Sequence, residues 1–294
     1  MDITPKSLIL DLLSTLPVSG GHSMPVRALV EAGDCFGMAS SAVRVALARL
    51  LAEKRVERDE RGRYRLGVAA APVVRTIRNW RRLEAQTVEW RGGWIGVYRR
   101  RGKGRGQARR LGDQSLVFLG FREFEPALFL RPDNLAGGVG ELRAQLGDLG
   151  LEDTASVFEL SGLDSSAEAR ALALWDEVAL GDAYGEAAQM LSESRVALEA
   201  APAREAMVET FRLGGRVIRQ LVLDPLLPDA IAPTAGRDAL AAQMRDYDVF
   251  GRSCWAEFLG RHGVLHRRTP ADLRVMKGAD QMISVAGALP RMIS

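Results

Sequence analysis

Cysteine is nearly absent from this chain of 294 residues: Cys35 and Cys254 are the whole supply. Two thiols rule out a disulfide framework and a cysteine metal cluster, and they read as small core residues. Histidine is scarce too. His262 and His266 stand four apart, a metal-ligand spacing on a helix, but Gly263 weakens that helix and no third ligand follows nearby, so no metal is expected. Apolar runs stay below the about 18 residues of a membrane span. The N-terminus carries Asp2 and Asp11 and lacks the basic start and small-residue cleavage site of a signal peptide. The expectation is a cytoplasmic protein with no membrane partner. No Ser, His and Asp set is spaced to identify a triad, and no G-K-[ST] completes a P-loop. No catalytic residue or cofactor is assigned, and an enzyme is not expected.

Acidic residues are missing from one stretch in particular. Between Ser40 and Arg110 there are 6 Asp and Glu against 20 Lys and Arg, while the rest of the chain has 31 against 20. Such asymmetry points to a polyanion partner for one portion and different work for the other. With 47% hydrophobic and 26% charged residues, the chain reads as globular, with room for two or three domains.

Ahead of the basic stretch and into it, the pattern is helical. Thr4 to Leu16 predicts a first helix, Thr4 as N-cap and Pro5 at the first position. Met24 to Gly33 predicts a second, stopped by Gly33. On a third, Val43, Leu47, Leu50 and Leu51 share an inward face. Ser40, Ser41, Arg44, Val45 and Arg49 fall on the other side, where Arg pairs bidentately with guanine and small residues let the backbone approach. Two strand-like pieces follow, Arg55–Arg58 and Arg63–Leu66, joined through a Gly-containing turn. Their Arg58, Arg61 and Arg63 suit phosphate or the minor groove. Together these form a winged helix-turn-helix pattern over residues 1–72, with double-stranded DNA as partner and a nucleoid location when bound.

Residues 73–90 predict a basic linker helix with Arg75, Arg78, Arg81 and Arg82, whose charges either continue the DNA track or meet a neighbouring domain. Over 91–164 the order is strand (Trp94–Tyr98), helix, two strands (Gly120–Phe124, Leu128–Arg131), helix (Val139–Leu149) and strand (Ser156–Leu160), the split βαβ arrangement of a ferredoxin-like sandwich. Residues 165–294 read as an acidic helical domain, with a break at Gly181 and weak periodicity after residue 259. The fold class is therefore α+β and multidomain.

Several segments in this order resemble the PaaX family, repressors of phenylacetate catabolism and their relatives. They are Val43–Gly67; Trp80, Trp90 and Trp94; Leu119-Gly120-Phe121 with Phe129-Leu130-Arg131-Pro132; Leu174-Trp175-Asp176 with Tyr184; and Asp224-Pro225-Leu226-Leu227-Pro228. The resemblance implies a winged helix, a Cas2-like ferredoxin-like α/β sandwich, a C-terminal α-helical domain and a homodimer. It also implies release of an operator by phenylacetyl-CoA or another acyl-CoA effector. The chain departs from the family at Leu213-Gly214-Gly215-Arg216 and at Thr234-Ala235-Gly236. A Cas2-type nuclease would need strand-end carboxylates, and the first strand here ends in Tyr98-Arg99-Arg100-Arg101.

Seven cations lie within Arg99–Arg110, interleaved with glycine ahead of a helix. A Gly-rich loop there suits an anion, the DNA backbone or the phosphates of coenzyme A, and the alternative is a solvated surface or an interdomain contact. Trp90, Trp94, Arg99, Lys103, Arg105, Arg109 and Arg216 are the candidate effector or phosphate contacts. An acyl-CoA-dependent enzyme or an RNA-handling protein using that loop is the alternative.

Overall fold

The start of the first helix follows from Thr4, Pro5 and Ser7. Thr4 Oγ1 accepts from the Ser7 amide at 3.2 Å, Ser7 Oγ donates back to the Thr4 carbonyl at 3.0 Å, and Pro5 occupies the first helical position, where no donor is needed. In the computed structural model, which describes residues 3–14, 16, 22–67, 80–100 and 106–264, the chain is a mixed α+β protein. Its described elements are α1 (Pro5–Ser14), β1 (Met24–Pro25), α2 (Val26–Cys35), α3 (Ser40–Ala52), β2 (Val56–Arg58), β3 (Arg63–Leu66), a 3-10 turn (Trp80–Ala85), β4 (Trp94–Tyr98), α4 (Gln107–Phe118), β5 (Arg122–Glu125), β6 (Leu128–Pro132), α5 (Gly138–Asp148), β7 (Ser156–Leu160), α6 (Ser165–Leu172), α7 (Glu177–Leu198), α8 (Ala203–Val222) and α9 (Thr234–Arg261). None of these helices is long and apolar enough to cross a membrane.

Two compact units result, one from Met1–Arg81, Ala187–Val222 and Ala241–Ser294, the other from Arg82–Glu186 and Leu223–Leu240. The helices expected as one domain over 165–294 thus divide between the two.

In the first unit, α3 buries Val43, Ala46, Leu47 and Leu50 with Leu8, Ile9, Leu12 and Leu13 of α1 and Leu29 of α2. The predicted second helix needs correction at both ends. Met24 and Pro25 pair with β3, opposite Tyr64 and Arg63. At the other end α2 runs through Gly33 to Cys35. Gly33 serves the approach of α3, because a Cβ there would lie 2.6 Å from Val43 Cγ2. The chain turns instead at Gly37, with φ 72°.

Met207 of α8 and Trp255, Phe258 and Leu259 of α9 belong to the same core. Phe36, which follows α2, lies edge-on to Phe211 with centroids 5.2 Å apart and is stacked on Trp255 at 6.4 Å. Trp255 Nε1 donates to the Met207 carbonyl at 3.0 Å. The turn leading into α3 is therefore held by helices more than 150 residues away in the chain.

The second unit has a four-stranded antiparallel sheet in the order β5-β6-β4-β7. Ile95 in its central strand lies opposite Arg131 and Glu159. Strands and helices alternate as the sequence pattern predicts, except that Gly120, expected within a strand, is a turn residue. Its φ is 78°, and a Cβ there would meet the Pro225 carbonyl oxygen at 2.9 Å. The predicted break at Gly181 is also corrected. α7 passes through it and through Gly185, since each interior glycine costs only about 1 kcal/mol. The helix starts after Trp175 is buried, where Asp176 Oδ1 accepts from the Ala179 amide at 2.9 Å.

Three segments of this unit converge on buried polar groups. The Arg131 guanidinium donates to the carbonyls of Leu119, Pro132 and Pro225 and to Asn134 Oδ1. Asn134 Nδ2 donates to the Leu226 carbonyl at 2.7 Å. Burial pushes Arg131 down to about 9, against the pull of Asp133. Asp224 accepts from the Tyr184 hydroxyl and the Leu226 amide and lies 4.0 Å from Arg237. Burial nonetheless raises its pKa above the ordinary carboxylate range.

If the α8 and α9 aromatics hold the α2–α3 turn, Trp255→Ala should lower the stability of the first unit by about 3–5 kcal/mol. A fragment ending at Arg81 should fail to show a cooperative denaturant transition. A well-folded fragment would refute the dependence.

Candidate nucleic-acid interface

With Val43, Ala46, Leu47 and Leu50 turned inward, the rest of α3 is set by its 3.6-residue period. Ser40, Ser41, Arg44, Val45, Ala48 and Arg49 are all exposed. No acidic residue occurs in the helix. Arg44 and Arg49 have no ion pair or hydrogen bond among the described residues. Glu53, just past the helix, is held by Lys6 at 2.5 Å. Every α3 residue predicted for DNA contact lies on this exposed face.

Beside it stands the β2–β3 hairpin, with Val56 opposite Leu66, Glu57 opposite Arg65 and Arg58 opposite Tyr64. Asp59 organises its turn, a role the sequence reading missed although the Asp-x-x-Gly spacing signals it. Asp59 Oδ1 accepts from the amides of Arg61 and Arg63 at 3.0 and 2.8 Å, and Oδ2 accepts from Ser23 Oγ at 2.5 Å. The Ser23 bond, followed by those amides, holds the Asp59 carboxyl below the usual range. Gly62, φ 74°, closes the turn under the Arg58 guanidinium, which a Cβ would approach to 3.0 Å.

Arg58 and Arg61 are exposed, and their guanidinium groups have no hydrogen bond or ion pair among the described residues. Arg63 is different. Its Nε and Nη2 donate to the Ser23 carbonyl at 3.1 and 2.8 Å, and Nη2 also reaches the Gly263 carbonyl at 3.3 Å. The predicted DNA contact at Arg63 is corrected to a stitch between the hairpin, the strand before α2 and the end of α9. Arg65 is likewise engaged, with Glu57 at 3.2 Å.

Further along the basic stretch, Arg81 is buried, paired with Asp248 and lying 4.7 Å from the Trp80 ring. It belongs to the core of the first unit and not to a DNA track. Arg75 and Arg78 lie outside the described residues.

The candidate effector contacts differ in how they are engaged among the described residues. Arg99 is 1% exposed and is held by Asp113 and by both oxygens of Glu152 at 2.7 Å. Acidic neighbours consume its charge, which corrects its assignment to an anion. Arg109 donates to the Arg100 carbonyl at 3.3 Å. Lys103 and Arg105 lie outside the described residues. Trp94 is also corrected, from a pocket wall to a core residue. It is 1% exposed, stacked on Trp175 at 6.2 Å and edge-on to Trp90 at 5.4 Å, with Nε1 donating to Glu168 at 3.1 Å. Trp90 Nε1 donates to the Gly93 carbonyl. Arg216 is exposed on α8, in the other unit, with Met190 Sδ at 3.6 Å. His262 lies 3.0 Å from Glu31, His266 lies outside the described residues, and no metal-ligand group of three occurs among those described.

No family model matches the chain, and no curated protein does. Among solved structures, the uncharacterized protein Rv0674 from Mycobacterium tuberculosis is similar, with a TM-score of 0.59 and 20% sequence identity, covering 88% of this chain and 99% of that one. At that identity the likeness is one of fold.

The Asp59 contacts set a pH dependence for the hairpin. Because the folded-state pKa is depressed, the stabilisation is complete above the unfolded value of about 3.9 and disappears as pH falls through the folded value. Acidification through that range, or Asp59→Ala at neutral pH, should increase hydrogen exchange at the Arg61 and Arg63 amides. Unchanged exchange in both cases would remove Asp59 as the organiser.

Proposed function

We propose that this protein is a sequence-specific DNA-binding transcriptional regulator of the PaaX type, acting as a repressor. In this reading α1–α3 with β1–β3 are a winged helix-turn-helix, α3 enters the major groove and the β2–β3 hairpin is the wing. The β4–β7 sheet with α4 and α5 is the Cas2-like sandwich. The observation that carries the proposal is the acid-free exposed face of α3, with Ser41, Arg44 and Arg49 unengaged, next to a hairpin that leaves Arg58 and Arg61 unengaged as well. A helix about 10–12 Å across fits the major groove, and adjacent cations suit its flanking phosphates.

The resemblance extends the proposal to a homodimer on an inverted repeat, with half-sites about one helical turn or a multiple apart. It also supplies the effector, phenylacetyl-CoA or another acyl-CoA. Such a ligand lowers DNA affinity only by binding the DNA-incompetent form better. Arg99 and Trp94, being engaged internally, are left out of the proposed effector site.

Duplexes enriched from a randomised library provide the test, with affinity measured by anisotropy over a salt series. Arg44→Ala should cost about 1–3 kcal/mol on the enriched duplex and relax selectivity at one position. Arg61→Ala should weaken all duplexes alike and reduce the salt slope by about 1. Selectivity unaltered by Arg44→Ala would sink the recognition-helix assignment. Adding a panel of acyl-CoAs to the preformed complex should release the DNA, and failure of every thioester would remove the effector while leaving DNA binding in place.

A further inference from the structure

One side chain on the exposed face of α3 is out of character with its surroundings. Val45 is 51% exposed, yet its neighbours on that face, Ser41, Arg44, Ala48 and Arg49, are small, polar or charged and exposed too. Charged residues suit such a position better, for helix propensity as well as solubility. A protein-binding site would surround an exposed valine with large apolar side chains, and the exposed apolar residues of α3 beside it are alanines, Ala42, Ala48 and Ala52. The major groove, by contrast, presents one isolated apolar group, the 5-methyl of thymine, amid donors and acceptors. A β-branched side chain on a helix is nearly fixed at χ1, so it meets such a group with little loss of freedom.

Resting on the DNA-binding reading above, we propose that Val45 is a specificity residue that packs on a thymine methyl group. Arg49 lies one turn further along, about 6 Å by the helical rise. With base pairs about 3.4 Å apart, the thymine falls within about two base pairs of the base that Arg49 reaches. The preferred half-site then combines a thymine with a nearby guanine.

The test uses the full-length protein and a duplex enriched from a randomised library, with each thymine replaced singly by deoxyuridine, which deletes the methyl and leaves the pairing edge intact. The wild type should lose about fourfold in affinity at one thymine per half-site, the factor for one buried methyl-sized group, and be indifferent to the others. Val45→Ala should bind the thymine and uracil duplexes within twofold of each other at that position and melt at the wild-type temperature. A wild type insensitive to every replacement, or a Val45→Ala variant as sensitive as the wild type, overturns the proposal and leaves the DNA-binding reading intact. If no duplex is enriched, both fall.

Discussion

The aromatic contact of Phe36 with Phe211 and Trp255 is the constraint on which the candidate interface depends. Helix α3 exposes Ser41, Arg44, Val45 and Arg49 only because Val43, Ala46, Leu47 and Leu50 are buried opposite, and the turn that sets its start is pinned through Phe36. Near neighbours in sequence, from Leu8 to Tyr64, supply most of that core. The remainder arrives from α8 and α9, so the surface proposed to read DNA is supported by the far end of the chain. Long-range support of this kind fixes the angle of a helix more firmly than local propensity does.

Arginine is used in three distinct ways here, and charge counting does not separate them. Arg131 and Arg81 are buried donors that join distant segments, Arg131 through carbonyls and an amide and Arg81 through Asp248. Arg63 and Arg99 are pinned by nearby carbonyls or carboxylates. Arg44, Arg49, Arg58 and Arg61 remain exposed. That last set lies on one helix face and one hairpin tip, whereas Lys54, Arg82, Arg91, Arg100 and Arg110 of the same stretch are exposed elsewhere.

The segments after Gly67 that carry the family resemblance are engaged within the fold where they are described. Gly120 allows the Pro225 carbonyl to approach, Arg131 and Asn134 bind the 225–226 backbone, Tyr184 bonds Asp224, and Trp175 stacks on Trp94. Arg131, Asn134, Tyr184 and Asp224 thus share a buried polar network around the 225–226 backbone, in which each polar group left unpaired would be costly. That network gives the segments a structural reason to occur together, and it gives no direct indication of a ligand.

Periodicity made much of this protein legible from sequence: α1 with its cap, the inward face of α3, the basic hairpin, and β4 and β7 at their observed residues. In each case the signal is local, because a helix or strand with one buried face repeats at 3.6 or 2 residues whatever it packs against. The same local signal misled at Met24–Pro25, Gly33 and Gly120, where a strand partner, a close helix or the Pro225 backbone overrode propensity, and at Gly181, where a glycine was too weak a breaker to stop α7. Tertiary structure alone decided which arginines are free, that Trp94 belongs to a core, and that the C-terminal helices divide between two units. Those outcomes depend on partners such as Glu152, Trp175, Asp248 and Trp255, tens to more than a hundred residues away, and no pattern within one segment encodes the identity of a distant neighbour.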